Sequence, residues 1–241
     1  MEVIYKASEV QINYLEPLKE WRILDLKNLM RKSKYEATYK GFCKVLLRLE
    51  KKNMIGSFRE PFSGRKYLFL TKEGDSYLGG EDNPPAISKD TLVHDAKVVD
   101  LVLEFLKLKS SYGFELEHQI RNTKAFGTTY RICPDAIILG EKGKGKYKLA
   151  LELELTRKTK VKYLAKVGQY LSSNYYNFVV YFFQNKGVMN SYRKHIQEKY
   201  GDESDRKILY VLNEKLLTNS FKFEESIAHY KNKEGKLDAL F

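Results

Sequence analysis

Cys133-Pro134-Asp135-Ala136-Ile137-Ile138, followed after a turn by Leu151-Glu152-Leu153-Glu154-Leu155, is expected to set three carboxylates on two neighbouring strands. Between them Gly140-Glu141-Lys142-Gly143-Lys144-Gly145-Lys146 combines glycines with charges, which suits a hairpin turn. The two acidic segments are therefore expected to pair antiparallel. Side chains alternate along a strand, so Glu152, Glu154 and Thr156 share one face and Leu151, Leu153 and Leu155 the other. The leucines are expected to pack inward and leave the acids exposed at a cleft. Carboxylates this close repel by on the order of 1 kcal/mol even in water, which points to a stabilising cation. Ligands that are all oxygen suit Mg2+ or Mn2+. The alternative is a solvated strand face whose acids meet nearby lysines.

The 241 residues, 43% hydrophobic, can bury one large core or two small ones. No apolar run approaches the roughly 18 residues that span a bilayer, and Met1-Glu2-Val3-Ile4-Tyr5-Lys6 lacks the order of a signal peptide, so a cytoplasmic location is expected. Two cysteines, Cys43 and Cys133, stand outside any CxxC or Cys/His cluster, which speaks against a disulfide framework or structural zinc. Forty-three Lys and Arg against thirty-one Asp and Glu give a net charge of +12. That balance favours a polyanionic partner, and the basic excess is spread along the chain.

Before residue 80 the apolar spacing predicts helices over 16–26 and 27–30, and another opening at Tyr35-Glu36-Ala37-Thr38-Tyr39. Phe42, Val45, Leu46 and Leu49 form the stripe of this last helix, with Lys40, Lys44, Arg48, Lys51 and Lys52 opposite. Ser57-Phe58-Arg59-Glu60 and Lys66-Tyr67-Leu68-Phe69-Leu70 then flank the turn Pro61-Phe62-Ser63-Gly64-Arg65, a hairpin pattern. Helices followed by a basic hairpin and Leu70-Thr71-Lys72-Glu73-Gly74 resemble a winged helix-turn-helix DNA-binding domain. The resemblance implies that Tyr35, Thr38, Tyr39, Lys40 and Lys44 face the DNA groove while Arg59 and Arg65 lie on the wing. Winged helices also serve as protein-contact modules. Gly79-Gly80-Glu81-Asp82-Asn83-Pro84-Pro85 disfavours both helix and strand, giving a DNA-binding domain over 1–82, a linker over 83–90 and a second domain over 91–241.

In the second domain the pattern predicts a helix over 93–107, a strand over 114–121, the two acidic strands and a helix over 157–172. A covered strand over 178–183, a helix over 188–200 and a strand over 207–212 follow. The tail from Phe221 fits either a further sheet edge or a helix. The fold class is thus α/β, or α+β over the whole chain, with a mixed central sheet in an αβββαβ order. This order is similar to the restriction-endonuclease-like, PD-(D/E)xK nuclease fold. Pro134-Asp135 matches its "PD" and Glu152 its acid, but Glu154 stands where the family pattern asks for lysine. Lys160, Lys162 and Lys166 lie on or before the next helix, and Lys166, with Tyr170 one turn on, is the choice for a displaced lysine.

Winged helix first and nuclease-like fold second, the whole chain resembles the replication-relaxation family, which includes the MobC type of plasmid mobilisation relaxase. The matching points are His94, Glu117 on the first strand, Pro134-Asp135, Glu152-Leu153-Glu154-Leu155-Thr156, Lys166 and Tyr170. The resemblance implies metal-dependent nicking or cleavage of double-stranded DNA, with accessory mobilisation or replication proteins as further partners. Asp135 and Glu152 would hold Mg2+ or Mn2+, helped by the Leu153 carbonyl and by Glu154 or Glu117. Glu154 or Lys166 would orient the attacking water, and Arg157, Lys158 and Lys160 would grip the backbone. Relaxases that attack with tyrosine hold their metal through a closely spaced histidine pair, and His94, His118, His195 and His229 include no such pair. The competing expectation is a non-catalytic DNA-binding regulator or replication accessory factor, supported by Glu154 in the lysine position.

Overall fold

The computed structural model describes residues 9–33, 38–79, 87, 91–121, 132–143, 145–231 and 233–237. They form two compact units, Met1–Val99 and Asp100–Phe241. The linker expected over 83–90 falls almost wholly outside the described residues. Among the described residues no helix is long and apolar enough to cross a membrane.

In the first unit α1 (Glu9–Trp21) ends earlier than the periodicity suggested. Arg22 adopts the left-handed conformation (φ 63°), which breaks the helix, and Ile23–Asp25 forms a short buried strand, β1. β1 pairs antiparallel with residues 67–69, a partner more than forty positions away that leaves no local signal. Asp25 caps α2 (Leu26–Lys32) by accepting from the Asn28 N–H at 2.7 Å. Thr38 caps α3 (Tyr39–Lys51) in the same way through Gly41. Phe42, Leu46 and Leu49 bury one face of α3, while Tyr39, Lys40, Lys44, Leu47, Arg48 and Lys51 lie exposed on the rest.

The hairpin of β2 (Ile55–Arg59) and β3 (Lys66–Leu70) completes a three-stranded antiparallel sheet in the order β1-β3-β2. Its turn is organised by Glu60, fully buried, whose carboxylate accepts from the N–H groups of Phe62 and Ser63 at 2.9 and 2.8 Å. Phe62 is left 61% exposed at the tip. The Leu-Thr-x-x-Gly segment has a packing explanation. Thr71 caps α4 (Lys72–Tyr77) and its N–H donates to the Met54 carbonyl at 3.2 Å. A Cβ on Gly74 would lie 1.9 Å from that same carbonyl oxygen, so only glycine lets the helix approach β2 this closely.

α5 (Leu92–Phe105) crosses the division between the units. The second unit continues with β4 (Ser111–Leu116), the short α6 (Glu117–Arg121), β5 (Ala136–Lys142), β6 (Gly145–Glu154), α7 (Lys160–Ser172), β7 (Phe178–Phe183), α8 (Lys186–Tyr200), β8 (Ile208–Leu212), β9 (Ile227–Tyr230) and β10 (Lys233–Lys236). These strands make one seven-stranded mixed sheet in the order β10-β9-β8-β7-β6-β5-β4. β4, β5 and β6 form an antiparallel meander, β6-β7-β8 run parallel, and β9 and β10 close the edge antiparallel. The β5–β6 turn is tighter than the glycine-rich stretch suggested, because the ladder runs to the pair Lys142 and Gly145, with Gly143 at φ 62°. Among the described residues the tail adds a short 3-10 turn, Phe223–Glu225, and then the sheet edge of β9 and β10.

β6 corrects the expectation of a half-exposed strand. From Leu149 to Glu154 every residue is buried, because the acid face also carries Ala150 and packs into a core built by Ile137, Tyr163, Val167, Tyr181, Phe183 and Tyr192. Alternation separates the two faces of a strand; it does not reveal that both are covered.

Candidate active site

Asp135 sits immediately before β5, held by its backbone on both sides. Its N–H donates to Leu151 O at 3.1 Å, and its carbonyl accepts from the Glu117 N–H at 3.1 Å. Its side chain crosses to β6, where Oδ2 accepts from the Leu153 N–H at 2.7 Å. This bond fixes the carboxylate at the C-terminal end of β6, beside Glu152.

Glu152 has no solvent exposure. Lys166 Nζ approaches its two oxygens at 2.6 and 2.7 Å, and the Tyr170 hydroxyl donates to Oε1. Both partners come from α7, four residues apart and hence on one face. Burial pushes the Glu152 carboxyl up to about 7; Lys166 opposes the rise and the neighbouring Asp135 adds to it. Burial pulls Lys166 down, but the carboxylates of Glu152, Asp135 and then Glu154 outweigh it, so its pKa rises and it stays an ammonium ion. The two upward shifts differ in origin: burial dominates for Glu152, with Asp135 adding to it, whereas the surrounding carboxylates raise Lys166 against its burial.

Glu154, 3% exposed, repeats the pattern with other partners. Lys158 Nζ lies 2.7 Å from Oε1, and the Tyr192 hydroxyl of α8 donates to Oε2 at 3.2 Å. Burial raises its pKa as well, against the pull of Lys158. Directly across the ladder from Glu152 is Tyr181, whose buried hydroxyl has no hydrogen-bond partner among the described residues.

Four of the residues singled out by sequence thus converge: Asp135, Glu152, Glu154 and Lys166. Glu117 follows a different course from the strand position expected for it. β4 ends at Leu116 and Glu117 opens α6, where its carboxylate pairs with Arg121 at 2.7 Å. Among the described residues no three His, Cys, Asp or Glu side chains are grouped as a ready-made metal cage. Lys158 is drawn onto Glu154, whereas Arg157 and Lys160 are exposed and reach Ser191 at 3.3 Å and Glu198 at 3.7 Å. Tyr192, the partner of Glu154, was not foreseen. It comes from a helix 38 residues downstream, and no local spacing links the two.

In the first unit Tyr39, Lys40 and Lys44 are exposed on α3, and Thr38 is its cap. Arg59 is exposed and donates to the Gly64 carbonyl at 3.2 Å. Arg65 is partly engaged, 3.4 Å from Asp25 and with its guanidinium 5.3 Å from the Tyr67 ring centre. Tyr35 lies outside the described residues. Leu47 and Phe62, 56% and 61% exposed, add apolar surface to the same helix and hairpin.

Comparison with protein-family models, with curated proteins and with solved structures finds no match to this chain.

Proposed function

We propose that this protein binds double-stranded DNA through its first unit, as a winged helix-turn-helix, and nicks or cleaves it with a divalent ion in its second. The observation that carries the reading is the meeting of Asp135, Glu152 and Lys166 at the end of β6. A lysine supplied by α7 compensates for Glu154 standing at the usual lysine position. The order helix, antiparallel meander, helix and parallel strand supports a restriction-endonuclease-like fold. The chain's resemblance to the replication-relaxation family suggests a role in plasmid or mobile-element mobilisation or replication.

The donor set fits Mg2+ or Mn2+. Asp135 and Glu152 supply carboxylate oxygens, and strand geometry turns the Leu153 carbonyl to the same edge as its N–H. Two carboxylates and a carbonyl suit an ion that retains several waters, and the Asp135 carboxylate, which adds to the raised pKa of Glu152, brings a second negative charge beside it. When bound, the ion would supply Lewis acidity toward the scissile phosphate and a nucleophilic water at neutral pH. Lys166 would donate to charge developing on the phosphate. Tyr170 holds the Glu152 carboxylate in place. Arg157 and Lys160 offer exposed charge to the DNA backbone.

The test is conversion of supercoiled plasmid to nicked or linear DNA with Mg2+ or Mn2+. Asp135→Ala, Glu152→Ala and Lys166→Ala should each lower the rate by about 100-fold or more. Cleavage by the purified variants at the wild-type rate overturns the assignment. A second reading, a DNA-binding regulator on a degenerate nuclease fold, is favoured by the tight closure of Glu154 with Lys158 and Tyr192. It predicts DNA retention insensitive to chelator and no uptake of either ion.

A further inference from the structure

Away from the acids, between α8 and the β8–β9 pair, the second unit holds a cavity of about 300 Å³, at the lower end of the range for small-ligand sites. Its lining combines two chemistries. Arg193, Lys194 and Lys231 bring positive charge, against the carboxylate of Asp205. Tyr210 and Tyr230 bring flat aromatic surface.

The walls are built rather than incidental. Tyr210, 7% exposed, stands opposite His229 in the β8–β9 register. The Arg193 guanidinium lies 5.9 Å from the Tyr210 ring centre, and its Nη1 lies 3.2 Å from His229 Nδ1. The arginine can only donate, so the imidazole accepts at Nδ1 and carries its proton on Nε2. Burial, and then Arg193, hold the His229 pKa below its ordinary value against the pull of Glu234, whose carboxylate lies 3.5 Å from the same Nδ1. At the end of β9 Lys231 lies 5.2 Å from the Tyr230 ring centre.

We propose that this cavity binds the phosphate and base of a nucleotide, free or at the end of a DNA strand. Arginine and lysine together suit phosphate oxygens. Tyrosine rings suit a base, whose stacking tolerates any sequence. An apolar ligand would leave the cations without a role, and a bare phosphate would leave the rings without one. The cavity also shares a sheet face with the candidate active site. Glu152, Tyr181, Tyr210 and His229 follow one another across four adjacent strands, which separates the first from the last by about 14 Å. On α8, Tyr192 bonds Glu154 while the next residue, Arg193, lines the cavity.

The test uses the full chain in EDTA, so that failure of the nuclease reading leaves its result intact. The probes are dAMP, followed by calorimetry, and a 5′-phosphorylated hexadeoxyadenylate labelled at its 3′ end, followed by anisotropy. Arg193→Gln on α8 and Lys231→Ala at the end of β9 should each weaken binding about tenfold, equivalent to about 1.4 kcal/mol, with unchanged far-UV circular dichroism. Saturable dAMP binding identifies a free-nucleotide site, and binding of the oligonucleotide alone identifies a strand-end site. Wild-type affinity for both probes in both variants, or no binding of either probe to the wild-type protein, overturns the proposal.

Discussion

Replacing Glu152 with Gln should remove a specific part of the pH dependence of stability while keeping the side chain's shape. In the folded protein the carboxyl is raised from its ordinary 4.5 to about 7, chiefly by burial. The unfolded chain therefore loses this proton at lower pH than the folded one. Stability is fully present below about 4.5 and falls as pH rises through about 7. At about 1.4 kcal/mol per pH unit the gap amounts to about 3 kcal/mol. Lys166, whose pKa is raised, stays charged over this window and contributes no slope there. Glu154, also raised, adds a slope of the same sign that persists in the variant, so the informative quantity is the difference between the two proteins. Urea unfolding between about pH 5 and 8 in EDTA measures it, with tyrosine near-UV circular dichroism weighted toward the second unit, which holds twelve of the eighteen tyrosines. The single tryptophan, Trp21, lies in the first unit, and its fluorescence is an internal control that should show no difference. A flat difference curve between wild type and Glu152→Gln would refute the reasoning.

Three further outcomes are expected. Gly74→Ala, which sets a Cβ against the Met54 carbonyl, should destabilise the first unit by about 3 kcal/mol, read as an earlier Trp21 unfolding transition; a loss below half that would mean α4 shifts freely. Lys40→Ala and Lys44→Ala should each lower the slope of log affinity for duplex DNA against log salt by about 1, and an unchanged slope in both would remove α3 from the interface. Millimolar Mg2+ should raise the unfolding temperature of the wild-type second unit and leave Asp135→Asn unmoved; equal shifts in both would place the ion elsewhere.

Much of the architecture was legible where the signal is local. The stripe Phe42, Leu46 and Leu49, the hairpin around Gly64 and the continuous apolar run of β7 each follow from periodicity and turn chemistry within one element. The failures share a long-range origin. β1 exists only because β3 supplies its partner, and Glu117 left the strand because β4 ends one residue before it. The juxtaposition of Asp135 with Glu152 was readable because a hairpin joins them, and Lys166 was readable because helical spacing carries it one turn from Tyr170. The burial of both glutamates was not. Charged residues on an alternating strand imply water, unless the covering helices bring the counter-charges, and here α7 brings Lys166 while Tyr192 arrives on α8.

That arrangement sets an order of assembly. The hairpin bearing the acids closes over a two-residue gap between strands, whereas the ammonium and the hydroxyl that hold Glu152 arrive from 14 and 18 residues downstream. Tyr192 reaches Glu154 from 38 residues away. Local pairing costs little loop-closure entropy and forms first. A chain emerging during synthesis therefore carries its carboxylates hydrated and solvent-facing until α7 and α8 dock, and the chemistry of the site is acquired later than the hairpin that bears it.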